Sequence, residues 1–227
     1  MPDAIRGDVP RHYAACVMHL DDAVGRIIAA LERKGKRDNT LLVFTSDNGG
    51  STAENNDLKY PDDNCPNGKL PGNNTPWRGQ KGTLYEGGTR VPTVVSWPGR
   101  IQPGTVHVPV QITDWMPTLC SLAGYRPEQD LKWDGVNIAA LLTDRAELPQ
   151  RPLYAVAPGW RSRSLRLGDW KLIVHGEGDK RRVELFDLTQ DPAEAENQAE
   201  QQPDRVKNLL GILDECAAAD RDAVVKP

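Results

Sequence analysis

Apolar positions recur along this chain with two different periods. Between residues 10 and 34, Tyr13, Val17, Leu20, Val24, Ile27, Ile28 and Leu31 fall three and four apart. That spacing predicts one long amphipathic helix, which Gly35 stops. Residues 41–45, LLVFT, are apolar without alternation, as expected of a strand covered on both faces in a mostly parallel sheet. Residues 91–97, VPTVVSW, predict a second buried strand closed by Pro98-Gly99. The intervening residues 51–79 are rich in Asn, Asp, Pro and Gly, and so long a loop in a compact domain is functional or disordered. Residues 106–110 read as a short extended segment. Asp114 reads as the N-cap of a helix running to Ala123 and closed by Gly124. Residues 126–134 read as loop, and 136–142 as a short helix or turn.

The pattern changes near Pro149. Residues 153–157, 162–167, 170–174 and 183–188 are short strand candidates, with a tight-turn signal at Gly168-Asp169. Helical spacing returns over 203–217, with Val206, Leu209, Leu210, Leu213 and Cys216 on one face. The expected fold class is therefore α/β over residues 1–149, followed over 150–227 by a small α+β module, one antiparallel sheet with one covering helix.

Composition narrows the function. The chain has 227 residues, 38% hydrophobic and 26% charged, with a net charge of −4. That balance fits an ordinary soluble globular protein and argues against a general nucleic-acid binder. No apolar run is long enough to span a membrane, and the opening MPDAIRGDVP contains no signal-peptide core. Cys16, Cys65, Cys120 and Cys216 form no CxxC pair, which argues against a zinc site or a disulfide framework. Cys16, Cys120 and Cys216 lie on apolar helix faces and read as small buried hydrophobes. Residues 151–182 carry eight Lys and Arg against three Asp and Glu, and residues 183–227 carry four against eleven. This is either a solvated mixed surface or a sign that Arg161, Arg163 or Arg166 faces an anionic substrate.

Two stretches could carry chemistry. The strand at 41–45 runs into Ser46-Asp47-Asn48-Gly49-Gly50. Asp47 and Asn48 are hard oxygen donors of the kind Ca²⁺ or Mg²⁺ takes, although Asp-Asn-Gly is equally a turn former. Residues 77–92, WRGQKGTLYEGGTRVP, lead into the second strand. Lys81 sits between Gly79 and Gly82, flanked by Arg78 and Arg90. A lysine on a glycine-rich loop before a strand can bind a tetrahedral oxyanion or protonate a leaving oxygen; it can also be an ordinary solvated cation. Glu86 and Arg90 read as a structural ion pair fixing this loop. His12, His19, His107 and His175 form no metal-ligand spacing, and His12 and His19 read as helix-surface residues. Neither a GxSxG elbow nor a Walker loop occurs.

The order of these pieces resembles the C-terminal half of a type I (arylsulfatase-like) sulfatase of the alkaline-phosphatase-like superfamily. The segments are YAACVMHLDDAVGRII, NTLLVFTSDNGG, PWRGQKGTLYEGGTRVPTVVSWPG, TDWMPTLCSLAG, WDGVNIAALL, LGDWKLI and ELFDLTQDPAEAENQA. The conjunction of SDNGG with RGxKGTLYEGGxRVP is specific. The resemblance implies a mixed α/β sheet flanked by helices, followed by a small antiparallel sheet with one C-terminal helix. It implies that Asp47 and Asn48 ligate a divalent cation, Ca²⁺ or Mg²⁺. It implies that Lys81 is catalytic, contacts the sulfate and assists the leaving group, and that the substrate is a sulfate ester. Residues 51–77 and 161–166 are the expected substrate contacts.

The departures are as informative. The family's nucleophile is a formylglycine made from Cys or Ser in a C-x-P/A-S-R motif. None of Cys16, Cys65, Cys120 and Cys216 stands in one: Met18, Asn67 and Leu122 follow three of them, and after Cys216 the fitting Ala218 precedes Asp220 where Arg is required. By resemblance the nucleophile, a pair of Asp ligands and the histidine contacts belong to the N-terminal half, which precedes the region matched here. Three functions stay open from the sequence: a sulfuric-ester hydrolase whose catalytic half is elsewhere, a related phosphoester or phosphonate hydrolase, and a non-catalytic anion-binding fragment.

Overall fold

The computed structural model describes residues 5–54, 66–176 and 178–220; Cys65 lies outside them. The chain divides into two compact units, residues 1–99 and 100–227, each with its own sheet.

The first unit opens with α1, Asp8–Arg33, the helix foreseen from the periodicity. It ends where Gly35 takes φ 60. There the N–H groups of Lys34, Gly35 and Lys36 donate to the carbonyls of Ala30, Glu32 and Leu31, as in a glycine-terminated helix. No residue of α1 is buried, so Cys16 is exposed and is not the buried hydrophobe its spacing suggests. The strand β1, Leu42–Thr45, pairs with β2, Thr93–Ser96. The pairing is antiparallel, from Leu42↔Ser96 to Thr45↔Thr93, so this pair departs from the mostly parallel arrangement expected around β1. The reason is local: the Ser46 N–H donates to the Pro92 carbonyl, so the end of β1 meets the beginning of β2. Nor are the strands covered, since Val43, Phe44 and Val94 are exposed. Between them lies α2, Glu86–Thr89, a single helical turn with buried Glu86, Gly87 and Gly88.

In the second unit residues 106–110 form no strand. A 3₁₀ turn, Ile112–Asp114, precedes α3, Trp115–Leu122, which Gly124 closes at φ 75. Asp114 stands at the N-cap but makes no side-chain cap bond. Its buried carboxylate instead accepts from the Gln111 N–H at 2.7 Å, the Val136 N–H at 2.9 Å and the Arg151 guanidinium. Thr118 Oγ1 extends this joint, accepting from the Ile138 N–H at 2.9 Å just before α4, Ala139–Thr143.

The four strands β3, Pro152–Val156, β4, Ser162–Leu167, β5, Trp170–His175, and β6, Arg182–Asp187, form an antiparallel meander in chain order. Alternate residues of β4, β5 and β6 put Leu165, Leu172, Val174 and Leu185 on one face. Leu209 and Leu213 of α5, Pro203–Ala219, complete that core. Pro203 begins α5, where its missing N–H costs nothing. Cys120 and Cys216 are half-buried; burial, with the Glu215 and Asp220 charges, pushes the Cys216 thiol up.

Candidate functional site

Ser46–Gly50 and residues 77–90 are separate in sequence and form one hydrogen-bonded body. The Gly49 N–H donates to the Gly88 carbonyl at 3.0 Å, and the Lys81 N–H to the Gly50 carbonyl at 3.3 Å. Asn74 staples both segments. Its Oδ1 accepts from the Gly50 N–H at 2.7 Å, and its Nδ2 donates to the carbonyls of Gly50 at 2.9 Å and Gly79 at 3.2 Å. The Gln80 side chain accepts from the Thr52 N–H at 2.7 Å and from the Thr52 hydroxyl. Glycine is required where these backbones touch: a Cβ at Gly49 would lie 1.8 Å from the Gly87 carbonyl oxygen, and one at Gly88 2.3 Å from the Thr83 carbonyl oxygen.

The cations of this loop divide by role. The Arg78 guanidinium lies 4.0 Å from the Tyr85 ring centroid, and that of Arg90 4.1 Å from the Trp77 centroid, so both clamp aromatic rings. Arg90 also lies 3.7 Å from the buried Glu86 carboxylate. This is the structural ion pair foreseen, and it spans the single helical turn of α2. Lys81 is exposed, and no side-chain partner of its ammonium occurs among the described residues. It is the cation of this loop left available to an anion.

Asp47 is exposed and Asn48 half-buried at the end of β1. Asp47 Oδ1 accepts from the Asn48 N–H at 3.0 Å, and Asn48 Nδ2 donates to the Gly49 carbonyl at 2.9 Å. Among the described residues, no hydrogen bond to Asp47 Oδ2 or Asn48 Oδ1 is formed. Both are hard oxygens and fit a Ca²⁺ or Mg²⁺ ion chemically, but Ca²⁺ takes six to eight donors. No cluster of three or more His, Cys, Asp or Glu suited to a metal occurs among the described residues. The pair therefore fits part of a cation site.

His12 and His19 are exposed on α1, where His12 Nδ1 lies 3.0 Å from the Asp8 carbonyl oxygen. Arg161 donates to the Pro158 carbonyl at 2.9 Å and Arg166 to the Gly168 carbonyl at 3.0 Å. Sequence reasoning missed Asn74 and Gln80, which are ordinary loop residues until the two segments meet. It also missed a relay across three strands of the small sheet. Ser162 Oγ lies 2.8 Å from His175 Nδ1, His175 Nε2 lies 2.7 Å from Glu184 Oε2, and Glu184 Oε1 lies 3.0 Å from Arg182. No sequence signal marks it, because strand register alone places Ser162, His175 and Arg182 in one row.

Comparison with known proteins gives these motifs a context. Residues 4–125 match the Sulfatase family model, and residues 77–215 match that of the C-terminal region of N-sulphoglucosamine sulphohydrolase. The chain is 33% identical over 186 residues to Arylsulfatase A of Homo sapiens, covering 80% of this chain and 33% of that protein. It is 33% identical over 195 residues to a sulfatase of Formosa agariphila, covering 78% and 32%. Against Arylsulfatase J of Mus musculus it is 28% identical, covering 89% and 39%. Among solved structures, Ps i-CgsB superposes with a TM-score of 0.80 at 26% identity, covering 97% of this chain and 45% of that one. The chain thus spans less than half the length of these relatives. Its mixed α/β elements, small antiparallel sheet and C-terminal helix are those of the alkaline-phosphatase-like sulfatase fold. The fused SDNGG and RGQKGTLYEGG loops therefore stand in a chain that belongs to the sulfatase family.

Proposed function

We propose that this chain supplies the leaving-group lysine and two metal donors of a sulfuric-ester hydrolase. The observation that carries the reading is the fused loop body, in which the Lys81 N–H bonds the carbonyl of Gly50, two residues beyond Asn48. Hydrolysis of a sulfate ester breaks the ester S–O bond, and the departing alkoxide needs positive charge or a proton. The exposed Lys81 ammonium, without a side-chain partner among the described residues, supports both roles. Asp47 Oδ2 and Asn48 Oδ1 would hold a Ca²⁺ or Mg²⁺ ion. When bound, the ion would neutralise charge on the sulfate oxygens. No cysteine of the chain stands in a formylglycine motif. The nucleophile therefore comes from elsewhere, and the chain alone does not turn over. The Ps i-CgsB complex with a neocarrahexaose, at 25% identity, supports a sulfated saccharide as the substrate class.

A second reading rests on the likeness to the phosphonate monoester hydrolase of Agrobacterium radiobacter, a TM-score of 0.57 at 23% identity. That likeness shows the fold alone.

A chimera tests the two. This chain replaces the matching region of the Formosa agariphila sulfatase, and the product is assayed on aryl sulfate and aryl phosphonate. Turnover of aryl sulfate is expected, with Lys81→Ala lowering kcat about 10²-fold or more, the size of a general-acid contribution. Asp47→Ala is expected to weaken Ca²⁺ binding measured by calorimetry. Preference for the phosphonate, or indifference to Lys81→Ala, overturns the reading.

A further inference from the structure

The small sheet holds a serine, a histidine and a glutamate in series, and none of them belongs to the Lys81 loop body or to the apolar core under α5. The Gly176 N–H donates to the Arg161 carbonyl at 3.0 Å. The next pair of β4 and β5, Ser162↔His175, is therefore a non-hydrogen-bonded one, the kind in which facing side chains stand closest. Ser162 Oγ accordingly lies 2.8 Å from His175 Nδ1. On β6, Arg182 is the partner of His175, and Glu184 stands two residues on along the same face, within diagonal reach. Glu184 Oε2 lies 2.7 Å from His175 Nε2, and Oε1 lies 3.0 Å from Arg182. Glu184 is buried, at 4% exposed.

These contacts set the direction of each bond. A carboxylate paired with Arg182 only accepts, so His175 Nε2 carries a hydrogen and donates it. In the neutral ring Nδ1 is then the acceptor, and the hydrogen between it and Ser162 belongs to the hydroxyl. A base on the hydroxyl and a carboxylate that orients the base are what make a serine nucleophilic. Ser162 is half-buried and the His175 side chain 25% exposed, so the hydroxyl is reached from solvent while Glu184 stays inside. We propose that Ser162, His175 and Glu184 form a second hydrolytic site, for carboxylic esters, that draws on no residue of the loop body. Ser162 Oγ attacks the acyl carbonyl as its proton passes to His175 Nδ1. The ester C–O bond breaks, the alcohol leaves with that proton, and the acyl group stays on Ser162. Water then attacks the acyl carbon and gives a proton to His175. The carboxylic acid leaves as Ser162 Oγ recovers that proton. Glu184 is the positioning residue, holding ring and tautomer. Ser164 and Ile173 are buried further along this face, so the site takes short acyl groups such as acetyl.

The full chain is treated with diisopropyl fluorophosphate, whose P–F bond breaks as Ser162 Oγ bonds phosphorus, and is assayed separately on 4-nitrophenyl acetate. One adduct per chain is expected by intact mass, placed on Ser162 by peptide mapping. Ser162→Ala should abolish labelling and acetate hydrolysis, and His175→Gln should lower both by about 10²–10⁴-fold, the size of a general-base contribution. Glu184→Gln tests the positioning role. Its amide donates to His175 Nε2, moves the ring hydrogen to Nδ1 and turns the Ser162 bond round, so labelling should fall about 10³-fold or more. Glu184→Asp keeps the acceptor and should recover about a tenth of the parent rate. Circular dichroism checks that each variant is folded, and the mapping on the unaltered chain decides even where a variant is not. No adduct, an adduct on any residue other than Ser162, or acetate hydrolysis indifferent to Ser162→Ala overturns the proposal.

Discussion

Asn74 carries more of the candidate site than any residue the motifs display. Its amide closes three hydrogen bonds, to the Gly50 N–H, the Gly50 carbonyl and the Gly79 carbonyl. It thereby holds the Asp47-Asn48 turn against the loop that presents Lys81. Asn74→Ala leaves these backbone groups to water or to one another and is expected to cost about 1–3 kcal/mol. The larger effect belongs to function: in the chimera, Asn74→Ala should lower both Ca²⁺ affinity and kcat, whereas Lys81→Ala should lower kcat alone. Measuring the two parameters separately distinguishes a positioning residue from a residue that meets the substrate. Asp47, Asn48 and Lys81 can be named as candidates from sequence because their residue types suit the proposed chemistry. Asn74 cannot, because nothing in its own neighbourhood shows that residues 50 and 79 meet around it. Cys16 teaches the converse. Its periodicity was legible, yet periodicity names the face a residue shares and not what lies over that face.

At the scale of elements, the strands β4, β5 and β6 were readable from period and turn residues, because hairpin pairing is local. The pairing of β1 with β2 was not, since it depends on where a long connection returns. Asp114 illustrates a joint between elements. Its carboxylate gathers the 3₁₀ turn, the chain entering α4 and Arg151 beside β3. Asp114→Ala strips the partly buried Arg151 guanidinium of its counter-charge and leaves the Gln111 and Val136 N–H groups without their acceptor, and a loss of about 3 kcal/mol is expected, seen as a lower urea midpoint. Tyr154 couples β3 to the end of α5 through a 3.0 Å hydrogen bond from its hydroxyl to Asp220. Burial, then that bond and the charge of Asp220, push the phenol up to about 12 from 10.0. The folded state thus holds the proton more tightly than the unfolded chain. Its contribution is complete below pH 10 and is lost as pH rises from 10 to about 12. Tyr154→Phe should flatten the stability profile in that window and, by removing the hydroxyl's bond to Asp220, lower stability below pH 10 by an amount that does not vary with pH.

For the whole molecule the two units differ in what they bury. In the second, Leu165, Leu172, Val174 and Leu185 close against Leu209 and Leu213 of α5. Behind the sheet the buried Lys171 ammonium meets Glu194 Oε1 at 2.9 Å. Strand β5 lies between two neighbours along its full length. Opening it requires dismantling the sheet, so its amides exchange only through global unfolding. In the first unit, order rests on backbone bonds among glycines and on rings clamped by Arg78 and Arg90, while no residue of α1 is buried. Local opening there exposes little new apolar surface and costs correspondingly little. Hydrogen exchange on the chain alone should therefore rank Leu172, Ile173 and Val174 slowest, the Gly49 and Gly87 amides intermediate, and α1 fastest. Added denaturant should accelerate β5 with the slope of the global transition and leave α1 almost unmoved. Equal protection of α1 and β5 would mean that the helix has found a cover in this chain by itself, and the division of stability argued from burial would fail.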